Sequence, residues 1–177
     1  MPTTSATAPY STNPPNVMAI ECERKYLVNS DFRPHATASQ RITQGYLSTS
    51  PTVRIRLYGT RGFITIKSKS LDGGLSRHEW EYEIPASEAE QMLRLCNGVI
   101  DKERYIVPFE GQQWEVDVFH GANEGLIVAE IELSSPDEVV ATPPWRGKEV
   151  TGDVRYYNSH LTQHPFAKWN KSERSIT

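Results

Sequence analysis

Between residues 20 and 134 the chain alternates apolar and polar side chains with period two in eight segments. They are 20–28, 41–47, 52–58, 62–68, 77–84, 102–107, 112–119 and 126–134, and such alternation marks β-strands with two unlike faces. Turn residues separate several of them, among them Gly59-Thr60-Arg61-Gly62, Asp72-Gly73-Gly74, Glu110-Gly111 and Gly121-Ala122-Asn123. Connections this short make antiparallel hairpins, because a parallel crossover needs a dozen or more residues. Two helices are predicted. Ser87-Glu88-Ala89-Glu90 has the capping-box pattern and opens a helix ending near residues 95–97, with Gly98 as its stop. Asp153 is placed as the N-cap of the second, which runs to about Leu161 ahead of Pro165. The expected fold is mainly β (α+β): an eight-stranded antiparallel closed β-barrel with a few helices packed outside.

The flanks carry no such pattern. Residues 1–17 are rich in Ser, Thr, Pro and Ala, and too poor in apolar area to offset the entropy of ordering them. They read as a disordered tail, 18–169 as one folded domain, and 170–177 as a flexible polar end. The two cysteines, Cys22 and Cys96, supply neither a disulfide framework nor a zinc spacing. No apolar run approaches the roughly 20 residues that span a bilayer, and no secretory signal follows the start. A cytoplasmic location is expected. The formal net charge is −3, from 22 acids against 19 Lys and Arg, so no basic footprint calls for nucleic acid or an anionic membrane as partner.

The charge is oddly distributed, and that changes the picture. The polar alternates are almost all charged, often with one sign per strand: Glu21, Glu23 and Lys25; Arg54 and Arg56; Lys67; Arg77, Glu79, Glu81 and Glu83; Lys102 and Arg104; Glu115 and Asp117; Glu130 and Glu132. The opposite alternates, such as Val53/Ile55/Leu57, Trp114/Val116/Val118 and Ala129/Ile131/Leu133, are apolar and need cover. If they lie outward beneath the helices, the charges line the interior, which in an eight-stranded barrel has room for side chains or one small ligand. Buried ions lose hydration, so opposed acidic and basic walls are useful only if something of mixed charge sits between them. A polyphosphate carrying a divalent cation has that character.

Glu21-Cys22-Glu23-Arg24-Lys25 forms an E-x-E-x-K motif, followed in order by Val53-Arg54-Ile55-Arg56, Thr65-Ile66-Lys67, Glu79-Trp80-Glu81-Tyr82-Glu83, Lys102-Glu103-Arg104-Tyr105, Trp114-Glu115-Val116-Asp117 and Ala129-Glu130-Ile131-Glu132. Residues 147–158, Gly-Lys-Glu-Val-Thr-Gly-Asp-Val-Arg-Tyr-Tyr-Asn, complete the series. This set resembles the CYTH superfamily, the triphosphate tunnel metalloenzymes, over essentially the whole patterned region. The resemblance implies a tunnel-shaped antiparallel fold and chemistry at a triphosphate with Mg²⁺ or Mn²⁺. Within the superfamily the pattern is most similar to short bacterial inorganic triphosphatases, which split tripolyphosphate into pyrophosphate and phosphate. An adenylyl cyclase, a thiamine or nucleoside triphosphatase, and a non-catalytic polyphosphate-binding module are the alternatives.

On that resemblance Glu21, Glu23, Glu130 and Glu132 match the metal ligands, hard oxygen donors that suit Mg²⁺ or Mn²⁺. Asp117, with Glu115 beside it, is a candidate for a second metal. Lys25, Arg54, Arg56, Lys67 and Arg104 read as phosphate clamps, with Arg77 on a distal phosphate, because guanidinium forks and ammonium groups grip phosphate oxygens. A Lys–Tyr proton relay is assigned in the superfamily, and Lys25 with Tyr46 is its candidate here. Lys102 is the candidate for contact with the terminal phosphate or the water. The expected partner is a small polyanionic substrate; whether the chain forms a homodimer is left open.

Overall fold

The computed structural model describes residues 19–69 and 76–174, with side chains described from Cys22 onward except that of Ser76. The stretch 1–17, the Asp72-Gly73-Gly74 turn and the Glu21 side chain lie outside the described residues. Nine strands form one antiparallel sheet: β1 (Ala19–Val28), β2 (Ala38–Thr49), β3 (Thr52–Tyr58), β4 (Arg61–Lys67), β5 (Ser76–Ile84), β6 (Val99–Phe109), β7 (Gln112–Phe119), β8 (Ile127–Glu132) and β9 (Arg146–Glu149). Their spatial order is β5-β4-β3-β2-β6-β7-β8-β1-β9. The β6–β7 hairpin closes Phe109 on Gln112 with Glu110 at φ 47° and Gly111 at φ 79°, the paired positive φ values that match a turn to the twist of its strands.

The expected closed barrel of eight strands is corrected here. Among the described residues the sheet has nine strands and is not closed into a barrel. β1 meets β5 only from Ala19↔Glu79 to Cys22↔Ser76, and beyond that point its partners are β8 and β9. Alternation along a strand reports its two faces and says nothing of which edges meet, so closure was not in the pattern. Nor was β9, whose Arg-Gly-Lys-Glu sequence has no apolar alternate.

The helices also depart from expectation. α1 (Ala86–Leu93) begins with Pro85 at its N-cap and has no side-chain cap hydrogen bond, so the Ser87 capping box goes unused. Asp153 does cap, accepting the Arg155 backbone N–H at 3.1 Å, but the element it opens is a 3-10 turn, Val154–Tyr156. Tyr157 is extended (φ −70°, ψ 130°), and only then does α2 (Asn158–Leu161) start. A last turn, α3 (Lys171–Arg174), is tied back through the Arg174 guanidinium to the carbonyls of Phe166, Ala167 and Trp169.

Apolar residues sort into three clusters that together explain the sheet's curl. On the convex face Cys22, Tyr26, Trp114, Val116, Ala129 and Ile131 pack beneath Phe32 and Trp145, which come from loops rather than helices. Trp114 meets Tyr26 and Trp145 edge to face, with centroids 5.5 and 5.4 Å apart. Farther round that face Ile55 lies under Ala89 and Leu93 of α1. The third cluster is different. Ile100, Phe119 and Val128 share the strand faces of Lys102, Asp117 and Glu130, and they pack against Tyr156, Leu161 and Trp169. The C-terminal segment therefore stops one end of the concave face with apolar side chains. Among the described residues no helix is long and apolar enough to cross a membrane.

Burial of this kind is where stability resides. Trp114→Ala, at a fully buried position, is expected to cost about 3–5 kcal/mol in urea denaturation. Val139→Ala, at a position 87% exposed, should stay within about 0.5 kcal/mol of the unaltered chain.

Candidate functional site

The concave face encloses a cavity of about 540 Å³. Its border is built from inward alternates of eight strands, because a period of two sends every second side chain of each strand to that face. β1 supplies Glu23 and Lys25, β2 Tyr46, β3 Arg54 and Arg56, and β4 Lys67. β5 supplies Arg77, Glu79 and Glu81, β6 Lys102 and Arg104, and β8 Glu130 and Glu132. Glu115 of β7 also borders it, whereas Asp117 lies behind the lining, fully buried. Apart from Glu21, whose side chain lies outside the described residues, and Asp117, every residue singled out for the site borders this one cavity.

The charges are arranged as pairs. Lys25 Nζ donates to Glu130 and lies 2.9 Å from Glu23, which Arg77 approaches at 3.5 Å. Arg54 and Arg56 both reach Glu81, at 3.2 and 3.0 Å, and Glu81 also accepts from the Thr65 hydroxyl at 2.6 Å. Lys67 pairs with Glu79 at 2.7 Å. Deeper in, Lys102 meets Asp117 at 2.5 Å, and Arg104 spans Asp117 at 2.7 Å, Glu130 at 2.8 Å and Glu115. Buried ions survive only with such counter-charges and hydrogen bonds.

Burial and neighbours divide the cations by proton affinity. Desolvation alone would lower the Lys25 pKa, but Glu130 and Glu23 outweigh it and hold the ammonium well above the ordinary lysine value. Lys102 goes the other way. Burial pushes it down to about 8, since its one direct carboxylate, Asp117, is shared with Arg104, whose charge opposes it. Its ammonium also lies 5.5 Å from the Phe119 ring, at the boundary with the apolar stopper. Arg56 is lowered to about 10 by burial and by the neighbouring Arg54, which outweigh Glu81 and Glu115, and its buried Nε has no acceptor among the described residues. Burial raises the Tyr46 hydroxyl against the pull of Arg54, Lys25 and Arg77, so it stays protonated; it accepts from Gln44 at 3.0 Å.

Glu23 and Glu132 stand directly opposite in the β1–β8 register. Facing like charges destabilise a sheet, and a hard cation between them relieves that cost. Among the described residues no three His, Cys, Asp or Glu groups converge into a ready-made metal cage. A cation here would therefore complete its shell with ligand oxygens and water, as Mg²⁺ usually does.

Sequence reasoning missed part of the border. Thr49, Ser50, Pro51 and Thr52 at the β2–β3 turn, and Tyr157, Asn158 and Ser159 around the start of α2, line the cavity as well. Thr49 and Thr52 are the end residues of β2 and β3, and the others belong to the turn between them and to the start of a short helix, where no alternation signals a face. Lys69, exposed, also borders the cavity, while Glu83 pairs with Arg61 away from it.

Residues 19–159 match the family model described as the CYTH domain. An inorganic triphosphatase of Acetivibrio thermocellus is 43% identical over 158 residues, covering 87% of this chain and 100% of its own. One of Nitrosomonas europaea is 41% identical over 150 residues, covering 80% of this chain and 95% of its own. A crystal structure of the inorganic triphosphatase NE1496 aligns at a TM-score of 0.60 and 34% identity, over 83% of this chain and 97% of that one. PH1012 from Pyrococcus horikoshii shares the fold at a TM-score of 0.53 and 19% identity, over 66% of this chain and 81% of its own.

The lowered Lys102 affinity fixes a pH dependence of stability. Between about 8, its value in the folded protein, and the ordinary 10.5, the unfolded chain holds a proton that the folded one has released. Stability contributed by this group therefore rises with pH across that window. Urea denaturation at pH 7.5 and 10 is expected to show this gain, and Lys102→Met to lose it.

Proposed function

Because the chain belongs to the CYTH domain family, we propose that it is an inorganic triphosphatase, hydrolysing tripolyphosphate to pyrophosphate and phosphate in its charged cavity. One observation carries the reading: guanidinium and ammonium groups of β3, β4 and β6 face the carboxylates of β1 and β8 across a space closed at one end by apolar packing. That arrangement suits an extended polyanion bearing a cation better than it suits either ion alone.

Arg54 and Arg56 are the primary clamps. They share Glu81, and phosphate oxygens would give the buried Arg56 Nε the acceptor it lacks among the described residues. Lys67 and Arg77 extend the grip, and Arg104 reads as a deeper contact. Lys25, held charged by two carboxylates, acts as a fixed positive charge rather than a base. Lys102, at about 8, is the lysine that exchanges a proton near neutral pH, and it is the group assigned to the attacking water or the terminal phosphate. Tyr46, kept protonated, donates.

Glu23 and Glu132, with Glu21 and Glu130, would hold the divalent ion, Mg²⁺ or Mn²⁺. When bound, such an ion neutralises phosphate charge and orients water. Asp117 anchors Lys102 and Arg104 from behind, which favours a positioning role over ligation of a second metal. Phosphoryl transfer asks little covalent work of a protein, so the lining residues serve by aligning the chain and balancing its charge.

Phosphate release from tripolyphosphate is expected with Mg²⁺ or Mn²⁺ and not with chelator. Glu132→Ala should raise the metal concentration required by at least about tenfold, and a variant with unaltered metal dependence would take Glu132 out of the cation site. Arg56→Ala should raise KM for tripolyphosphate by about tenfold or more. ATP and thiamine triphosphate, assayed alongside, should be the poorer substrates.

A further inference from the structure

The segment that follows β9 borders the cavity without belonging to the sheet, and it is firmly tethered. Val150 N–H donates to the Lys25 carbonyl at 2.8 Å, and Lys25 N–H donates to Thr151 Oγ1 at 3.0 Å. The Asp153 carboxylate takes both the backbone N–H and the guanidinium of Arg155, whose Nη1 reaches the Glu173 carbonyl at 3.3 Å. That guanidinium also lies 5.7 Å from the Tyr156 ring and 5.9 Å from that of Trp169, both buried in the apolar stopper. Tyr157, Asn158 and Ser159 are thus presented to the cavity by a backbone held on both sides.

Among these three, Asn158 stands apart. Its main-chain carbonyl serves α2, accepting from Thr162 N–H at 3.2 Å. Its side-chain amide serves nothing in the fold: Oδ1 is buried and meets no donor among the described residues, and Nδ2 makes no hydrogen bond to them. An asparagine kept for structure normally spends its amide on a cap or a turn. Here the residue sits at the edge of a cavity lined by cations and carboxylates, with an N–H donor to offer and no acceptor for it among the described residues.

We propose that Asn158 is a further substrate-binding residue, donating from Nδ2 to a phosphate oxygen at the end of the cavity bounded by residues 157–159. The proposal rests on the triphosphate reading of the cavity. A neutral donor adds a directed contact there without adding charge to a lining already crowded with ions, and it marks where one end of the chain lies.

The test compares the unaltered protein with Asn158→Leu in two measurements. Calorimetric titration with tripolyphosphate in chelator reads binding without turnover, and steady-state phosphate release with Mg²⁺ reads KM and kcat. Loss of a hydrogen bond to a charged acceptor should raise both Kd and KM by about tenfold. kcat should stay within about threefold, as for an interaction present in ground and transition states alike. The melting temperature should not fall, because the deleted amide had no partner in the fold. Asn158→Asp, which sets a carboxylate against phosphate, should raise Kd further, and Asn158→Ser repeats the comparison should the leucine variant misfold. Kd and KM within about twofold of the unaltered protein would overturn the proposal, as would a lowered melting temperature with unaltered Kd. Tripolyphosphate bound but not cleaved with any divalent metal would sink the triphosphatase reading while the Kd comparison still decides Asn158. No binding by the unaltered protein would overturn both.

Discussion

Charged side chains held on the concave face of a single curled sheet need counter-charges within reach, and that need shapes the rest of the molecule. Lys25 against Glu130, Lys67 against Glu79, and Lys102 and Arg104 against Asp117 hold neighbouring strands together by ionic contacts along the cavity wall. Each strand alternates, so sending ions inward sends apolar residues outward. The convex face must then be covered. Phe32 and Trp145 cover it from loops, α1 covers Ile55, and the segment from Val150 to Trp169 turns inward to stop one end of the cavity. The usual relation of a sheet to its core is reversed, and the small helices and aromatic loops are its consequence.

On the proposed reading the same pairs provide the means of binding. Some are closed on themselves: Asp117 lies fully buried between Lys102 and Arg104 and has no place at the cavity border. Others are crowded: Arg54 and Arg56 both reach the Glu81 carboxylate, and Arg56 is lowered to about 10. A polyanion entering between these groups exchanges partners with carboxylates already there, so little uncompensated charge is buried at any stage. Glu23 and Glu132 stand opposite each other in the β1–β8 register. On the proposed reading, a metal-bearing polyphosphate would bring charges of both signs to a wall that already carries both.

Much of this was legible in the sequence, for a specific reason. A period of two reports which residues share a face, and charged alternates of one sign on strand after strand single out the interior. The eight long strands, the outward place of Cys22 and Trp114, and the gathering of Arg54, Arg56, Lys67, Arg104 and Glu130 in one cavity all follow from that rule. What periodicity does not encode was missed. The partial contact of β1 with β5 depends on edges, not faces, and β9 has no apolar alternate to announce it. The Ser87 capping box was overridden by Pro85, whose fixed φ already starts the helix. Tyr157, Asn158 and Ser159 reach the cavity only because tertiary packing brings the chain's end back to its first strand.

The central claim is that phosphate replaces Glu81 as the partner of the paired arginines. Determining the structure of the protein with tripolyphosphate and Mg²⁺ tests it most directly. Arg54 and Arg56 guanidinium groups are expected on phosphate oxygens, with Glu81 left to Thr65 and the cation beside Glu23 and Glu132. Tripolyphosphate seated elsewhere, with both arginines still on Glu81, would contradict it.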